Sequence, residues 1–112
     1  MIEPTIIAYL DAALDVPVSG AVPSNPPASF VTVEKTGGRR ANKIDSATIA
    51  IQSWAASIAE AAALNDQVKT AMENIVNLDS ISSCDLNSDY NYTDTNRKHC
   101  RYQAVFDVVY YD

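Results

Sequence analysis

The sequence predicts an α+β domain: a small mixed, mainly antiparallel four-stranded sheet covered by helices, in the order helix, strand, strand, helix, strand, strand. Three observations lead there. Apolar residues recur at three- and four-residue steps in two segments, near 3–14 and 57–77. They alternate with polar residues in four others, near 29–35, 44–52, 81–92 and 99–111. A chain of 112 residues has room for one core, burying roughly two thirds of the surface its unfolded form exposes. All six segments therefore belong to a single domain spanning residues 1–112.

In the first helix Pro4 suits the opening turn and Ile2 is placed to staple onto Ile7, while Ile6, Ile7, Leu10, Ala13 and Leu14 make one apolar face. Four of the five prolines then fall between Val16 and Pro27, with Ser19, Gly20 and Ser24 among them. Neither a helix nor a central strand persists through such a run, so residues 16–28 read as an extended linker. In the first strand Phe30, Val31 and Val33 are apolar, Thr32 and Glu34 polar. In the second, Ala47, Ile49 and Ile51 alternate with Thr48, Ala50 and Gln52, and the isoleucine face should be buried. Between them residues 36–43 read as a hairpin loop in which Gly37 and Gly38 supply positive φ.

Ser53 or Ser57 can cap the second helix, and Ser57 with Glu60 has the form of a capping box. Ala61, Leu64, Val68, Ala71 and Ile75 continue the helical repeat to about residue 77. The last two strands carry Cys84, Leu86, Ser88, Tyr90 and Tyr92 on one alternation and Tyr102, Ala104, Phe106, Val108 and Tyr110 on the other, joined by the polar stretch 93–98.

Fourteen acidic residues oppose eight basic ones, for a net charge of −6. Such a field repels a polyanion, so nucleic acid is not expected as the main partner. No apolar run approaches the roughly 20 residues of a membrane-spanning helix, and the segment from Met1 to Pro4 does not read as a secretory signal. A hairpin centred near residue 95 sets Cys84 opposite residue 106 or 107 and Cys100 opposite 90 or 91, too far apart for a disulfide. Both thiols are expected reduced.

No motif announces chemistry. Gly37-Gly38-Arg39-Arg40 lacks the Gly-Lys-Ser/Thr and the following helix of a phosphate loop, and the only other glycine, Gly20, completes no dinucleotide fingerprint. The run from Asp85 to Asp89 opens like a calcium loop, but Tyr90 stands where a glycine must turn and Asn96 where a bidentate glutamate is needed. His99 and Cys100, consecutive in a strand, point to opposite faces and cannot activate one another. The sequon Asn91-Tyr92-Thr93 reads as incidental. No catalytic, metal or cofactor residue is expected. Trp54 reads as a core anchor or, alternatively, a binding aromatic. The residues with most to do are surface contacts: Tyr90, Tyr92, Tyr102, Tyr110 and Tyr111 exceed what a small core encloses. Arg39, Arg40 and Lys43 concentrate positive charge in the hairpin loop, either to meet an acidic patch on a neighbour or merely to be solvated.

One stretch resembles a known family. The segment from Pro26 to Val33, then Thr36-Gly37-Gly38-Arg39, then the segment from Asp45 to Ser57, then Glu60-Ala61 and the helix to Ile75 are similar to tail terminator (tail completion) proteins of long-tailed bacteriophages. The resemblance covers about residues 22–77. It implies a small non-enzymatic subunit, made in the bacterial cytoplasm and built into the virion neck. Its partners would be further copies in a hexameric ring, the tail tube protein and the head connector. A head completion or connector subunit is the alternative in the same class, and a small ligand-binding or enzymatic α+β domain the alternative in another.

Overall fold

A computed structural model describes residues 2–111. The first helix, α1 (Ile2–Ala13), buries Ile2, Ile6 and Leu10, with Ile7 and Leu14 half-buried at its flank. Pro4 sits in its first turn, where a missing N–H costs nothing. The second helix, α2 (Ile58–Glu73), starts at the predicted cap: Ser57 is extended, and its Oγ accepts from the Glu60 N–H at 3.2 Å. It ends short of residue 77. Asn74 closes it with its N–H on Ala71 and Met72 carbonyls, and a single 3₁₀ turn, Ile75–Asn77, tightens the chain behind it.

The sheet has five strands, not four: β1 (Val18–Ser19), β2 (Phe30–Ala41), β3 (Ile44–Ala55), β4 (Ile81–Asn91) and β5 (Cys100–Tyr110), in the spatial order β1-β2-β3-β5-β4. The added strand lies inside the proline-rich linker. Its two residues pair parallel with Val31 and Thr32, and Val31 donates its N–H to the Pro17 carbonyl at 2.9 Å. Prolines lack donors but keep acceptors, so a linker can lend carbonyls to a sheet edge. The remaining pairings are antiparallel, which makes the sheet mixed with one parallel pair.

Both helices lie on one face. α1 packs over β1 and β2, α2 over β3 and β5, and Tyr9 of α1 ties the two by donating to the Ala71 carbonyl at 2.7 Å. Between helices and sheet lie Ile6, Leu10, Val31, Val33, Ile49, Ile51, Val68, Met72 and Val108, all essentially inaccessible. Each such side chain contributes about 1.5–3 kcal/mol on burial. The isoleucine face of β3 is thus buried as expected.

The predicted hairpin loop 36–43 is corrected. Residues 36–41 continue β2 against β3, and the chain reverses in a two-residue turn at Asn42 and Lys43, with φ of 54° and 67°. Two successive positive φ values match the twist of a right-handed ribbon, and asparagine tolerates them. Neither Gly37 nor Gly38 has positive φ. Gly38 sits instead under the Lys35 side chain: a Cβ there would lie 2.7 Å from Lys35 Cε, which would have to swing aside, and a tight 3.1 Å from the Ser46 carbonyl oxygen.

Bulges alter two further expectations. In β4 the register shifts between Ile81 and Ser83 and again between Leu86 and Ser88. An inserted residue turns the following side chains to the other face. Cys84 and Leu86 therefore face the helices, whereas Tyr90 and Tyr92 face away, instead of sharing one side. Cys84 pairs with Val108, not 106 or 107, and Cys100 pairs with Ala55 beyond the end of the β4 ladder. Both cysteines are free thiols.

Candidate interaction surface

The face of the sheet turned away from the helices is not plain solvent-facing polarity. Cross-strand partners share a face, so the register sets two parallel rows across it. One row runs Phe30, Trp54, Arg101 from β2 to β5, with Tyr92 of the β4 end beside Arg101. The Phe30 and Trp54 rings stack at 5.3 Å and 10°. The Arg101 guanidinium lies 4.6 Å from the Trp54 ring centre and 4.4 Å from that of Tyr92, sandwiched between them, and its Nε donates to the Tyr92 carbonyl at 2.9 Å. A planar cation between two π faces is favourable on both sides.

The second row is a ladder of side-chain hydrogen bonds across four strands. Trp54 Nε1 donates to Thr32 Oγ1 at 3.1 Å, and Thr32 Oγ1 donates to Gln52 Oε1 at 3.1 Å. Gln52 Nε2 donates to Gln103 Oε1 at 2.7 Å, and Gln103 Nε2 to Tyr90 Oη at 2.6 Å. Each amide both accepts and donates, so the ladder has one direction and orders its own rotamers. Tyr90 and Tyr92 then meet edge to face at 5.7 Å.

The loop after β4 closes over one end of this surface. Asx-type bonds shape it, Asn91 Oδ1 accepting from Thr93 N and Asp94 Oδ1 from Asn96 N. It brings Arg97 to 5.4 Å from the Trp54 ring and His99 edge-on to Phe30 at 5.4 Å. His99 Nε2 lies 2.9 Å from the Pro27 carbonyl oxygen, a contact that needs the proton on Nε2. A shallow groove of about 190 Å³ remains between Val22, Pro26 and the Arg97–His99 segment. Trp54 itself is only 2% exposed, so it is a core anchor whose ring is covered by cations.

The residues expected at an interface fall in four places. Tyr90 and Tyr92 are exposed on the open face. Tyr111 is exposed just past β5. Tyr110 is corrected: it faces the helices and is buried with Phe106 and Val108, because it shares their alternation. Arg39, Arg40 and Lys43 are exposed at the turn end of β2–β3, but Arg40 is engaged within the chain, its Nε and NH2 donating to Asp45 at 2.7 and 2.8 Å. That hydrogen bond, with the charge behind it, holds the Asp45 carboxyl below the usual carboxylate range. No protein-family model matches the chain, and no curated protein does.

Phe30, Thr32, Gln52, Arg97, Arg101 and Gln103 belong to this surface without having been singled out from the sequence. The available signal was Thr32, Gln52 and Gln103 at polar positions inside otherwise apolar strands, level with the sole tryptophan. Among the described residues no three His, Cys, Asp or Glu side chains converge as a metal site, and no helix is long and apolar enough to cross a membrane. On the helix side of the same strand, next to Tyr90, Asp89 binds β4 to α2, accepting from Lys69 Nζ at 2.6 Å and Asn65 Nδ2 at 3.0 Å.

Proposed function

We propose that the chain is a structural, non-enzymatic subunit of a bacteriophage neck: a tail terminator that forms a hexameric ring, caps the tail tube, stops its polymerisation and joins it to the head connector. It assembles in the bacterial cytoplasm and ends in the virion, and the reading involves no cofactor, membrane or sequence-specific nucleic acid. One observation carries it. The helices cover one face of the sheet, and the other is a braced surface with Tyr90 and Tyr92 exposed around Arg101. Tyrosine and arginine on a rigid support are the composition of protein contact surfaces. The stretch similar to tail terminators supports the same reading, since residues 22–77 supply β2, β3 and α2, the middle of the domain.

The test is the mass of the purified protein by light scattering over a range of concentrations, alone and with assembled tail tubes. Six-subunit species, free or retained on tube ends, are expected. A monomer that ignores tubes overturns the terminator reading, and retention on head connectors in place of tubes would make it a head completion subunit.

A further inference from the structure

Two edges of the sheet stay open, and they are unlike. On one side β1 and the Glu3 carboxylate, which accepts from the Lys35 N–H at 3.4 Å, cover only the first part of β2. Among the described residues, the stretch 37–41, regular beyond its bulge at Thr36, has no strand outside it. On the other side β4 has none either, and its two bulges leave Ser83–Leu86 as a regular segment of similar length. The first edge carries exposed Arg39 and ends in Lys43; the second carries Asp85, paired directly with Asp107 on β5. Like charges facing across a ladder oppose one another. Among the described residues the neutral Asn87 binds this pair, its Nδ2 donating to Asp107 Oδ2 at 3.1 Å.

The register sets the two segments level. Gly37, Thr48, Asp107 and Asp85 form one row across the sheet; Arg39, Ser46, Val109 and Ser83 form the next on the same face. β2 and β4 run in opposite directions, since two antiparallel steps lead from β2 to β5 and a third to β4. A neighbour related by rotation about an axis along the strands therefore presents β4 antiparallel to β2, with residues 37–39 level with 83–85 without slip.

We propose that copies of this chain join head to tail by pairing β2 residues 37–39 of one with β4 residues 83–85 of the next, Arg39 reaching Asp85 and Asp107 of its neighbour. The occupant of each edge is thus the other edge of a second copy. In a level array Asp85 lies opposite Gly37, which has open space where a side chain would stand. Arg39 sits diagonally, within reach of a long side chain. Main-chain hydrogen bonds supply the contact, and the charges select register and partner. A basic edge cannot pair with its like, so the chain disfavours two-fold dimers and favours a heterologous, closing array.

This inference rests on the ring-forming reading, and the test separates the two. Arg39→Asp, Asp85→Arg and the double variant are compared with the wild type by light scattering at low ionic strength, with thermal melts showing that each folds. Each single variant should raise the concentration for half-assembly at least tenfold, and the double should return to within about threefold of wild type. Amide exchange within residues 37–39 and 83–85 should slow at least tenfold on assembly. Wild-type rings with unaffected single variants, an unrescued double, or unchanged exchange at both edges would overturn the edge pairing and leave the ring reading standing. A wild type that stays monomeric with and without tubes overturns both.

Discussion

At residue scale Trp54 is the most constrained position on the open face. Its ring stacks on Phe30, its N–H is committed to Thr32, and two guanidinium groups lie over it. Trp54→Phe keeps an aromatic surface but leaves Thr32 without its donor; urea unfolding should show a loss of about 1–2 kcal/mol. Trp54→Ala removes the ring as well and should cost about 3–5 kcal/mol. Asp89 permits a test with pH. The hydrogen bond from Lys69, more than any other influence, holds its folded pKa below the ordinary 3.8, and the same contact raises Lys69 above its ordinary 10.5. The Asp89 contribution is thus complete above its unfolded value and lost as pH falls through the folded one. The Lys69 contribution is complete below 10.5 and lost as pH rises past it. Both side chains are 29% exposed, so Asp89→Asn should cost about 1 kcal/mol or less near neutrality. The stability curves of wild type and variant should begin to approach one another below pH 3.8 and converge only once pH has passed below the depressed folded value, where the carboxylate that distinguishes them is protonated in both states.

At element scale the turn at Asn42 and Lys43 offers the sharpest prediction. Lysine at φ 67° is strained where glycine is not. Lys43→Gly should raise the thermal midpoint, by about 0.5–1 kcal/mol in stability; Asn42→Pro, which cannot reach positive φ, should lower it sharply. The same element shows how far the sequence could be read. The alternation of β3 and the Ser57 cap of α2 were legible because each rests on neighbours in sequence. The glycine pair pointed to a loop tip because glycine is the usual source of positive φ; here Asn42 and Lys43 provide it, and Gly38 lies in the strand beneath the Lys35 side chain. β1 has only two residues and no pattern of its own, so its strand character comes wholly from β2. The β4 bulges were equally silent: nothing local marks Asn87 as extra, yet it decides that Tyr90 and Tyr92 leave the helix side. Tyr110 could have been placed, since it continues the alternation of Ala104, Phe106 and Val108. The hydrogen-bond ladder from Trp54 to Tyr90 depends on a register among four strands that no single segment records.

At the scale of the whole molecule, the asymmetry is between a face closed by two helices and a face covered only at one end, by the loop after β4. Substitutions on the closed face should act on stability, and those at exposed Tyr92 or Arg39 on association. Tyr92→Ala should leave the thermal midpoint within about a few degrees of wild type, since it removes one partner of a half-exposed stack. It should nonetheless reduce retention on tail tubes if the open face meets them; unchanged retention would move that contact elsewhere on the surface.

The strand order has a consequence for how the chain is made. β5 is the last strand along the chain yet lies inside the sheet, between β3 and β4. During synthesis β3 has one partner and β4 none until residues 100–110 leave the ribosome. Their inner edges meanwhile are bare, and the apolar side chains of β3 lack half their enclosure. Folding must therefore wait for the final strand and then close contacts distant in sequence, which is slow compared with helical proteins. A chain stopped after residue 99 should emerge without a cooperative melt and collect in the insoluble fraction, and supplying residues 100–111 as a separate peptide should recover part of it.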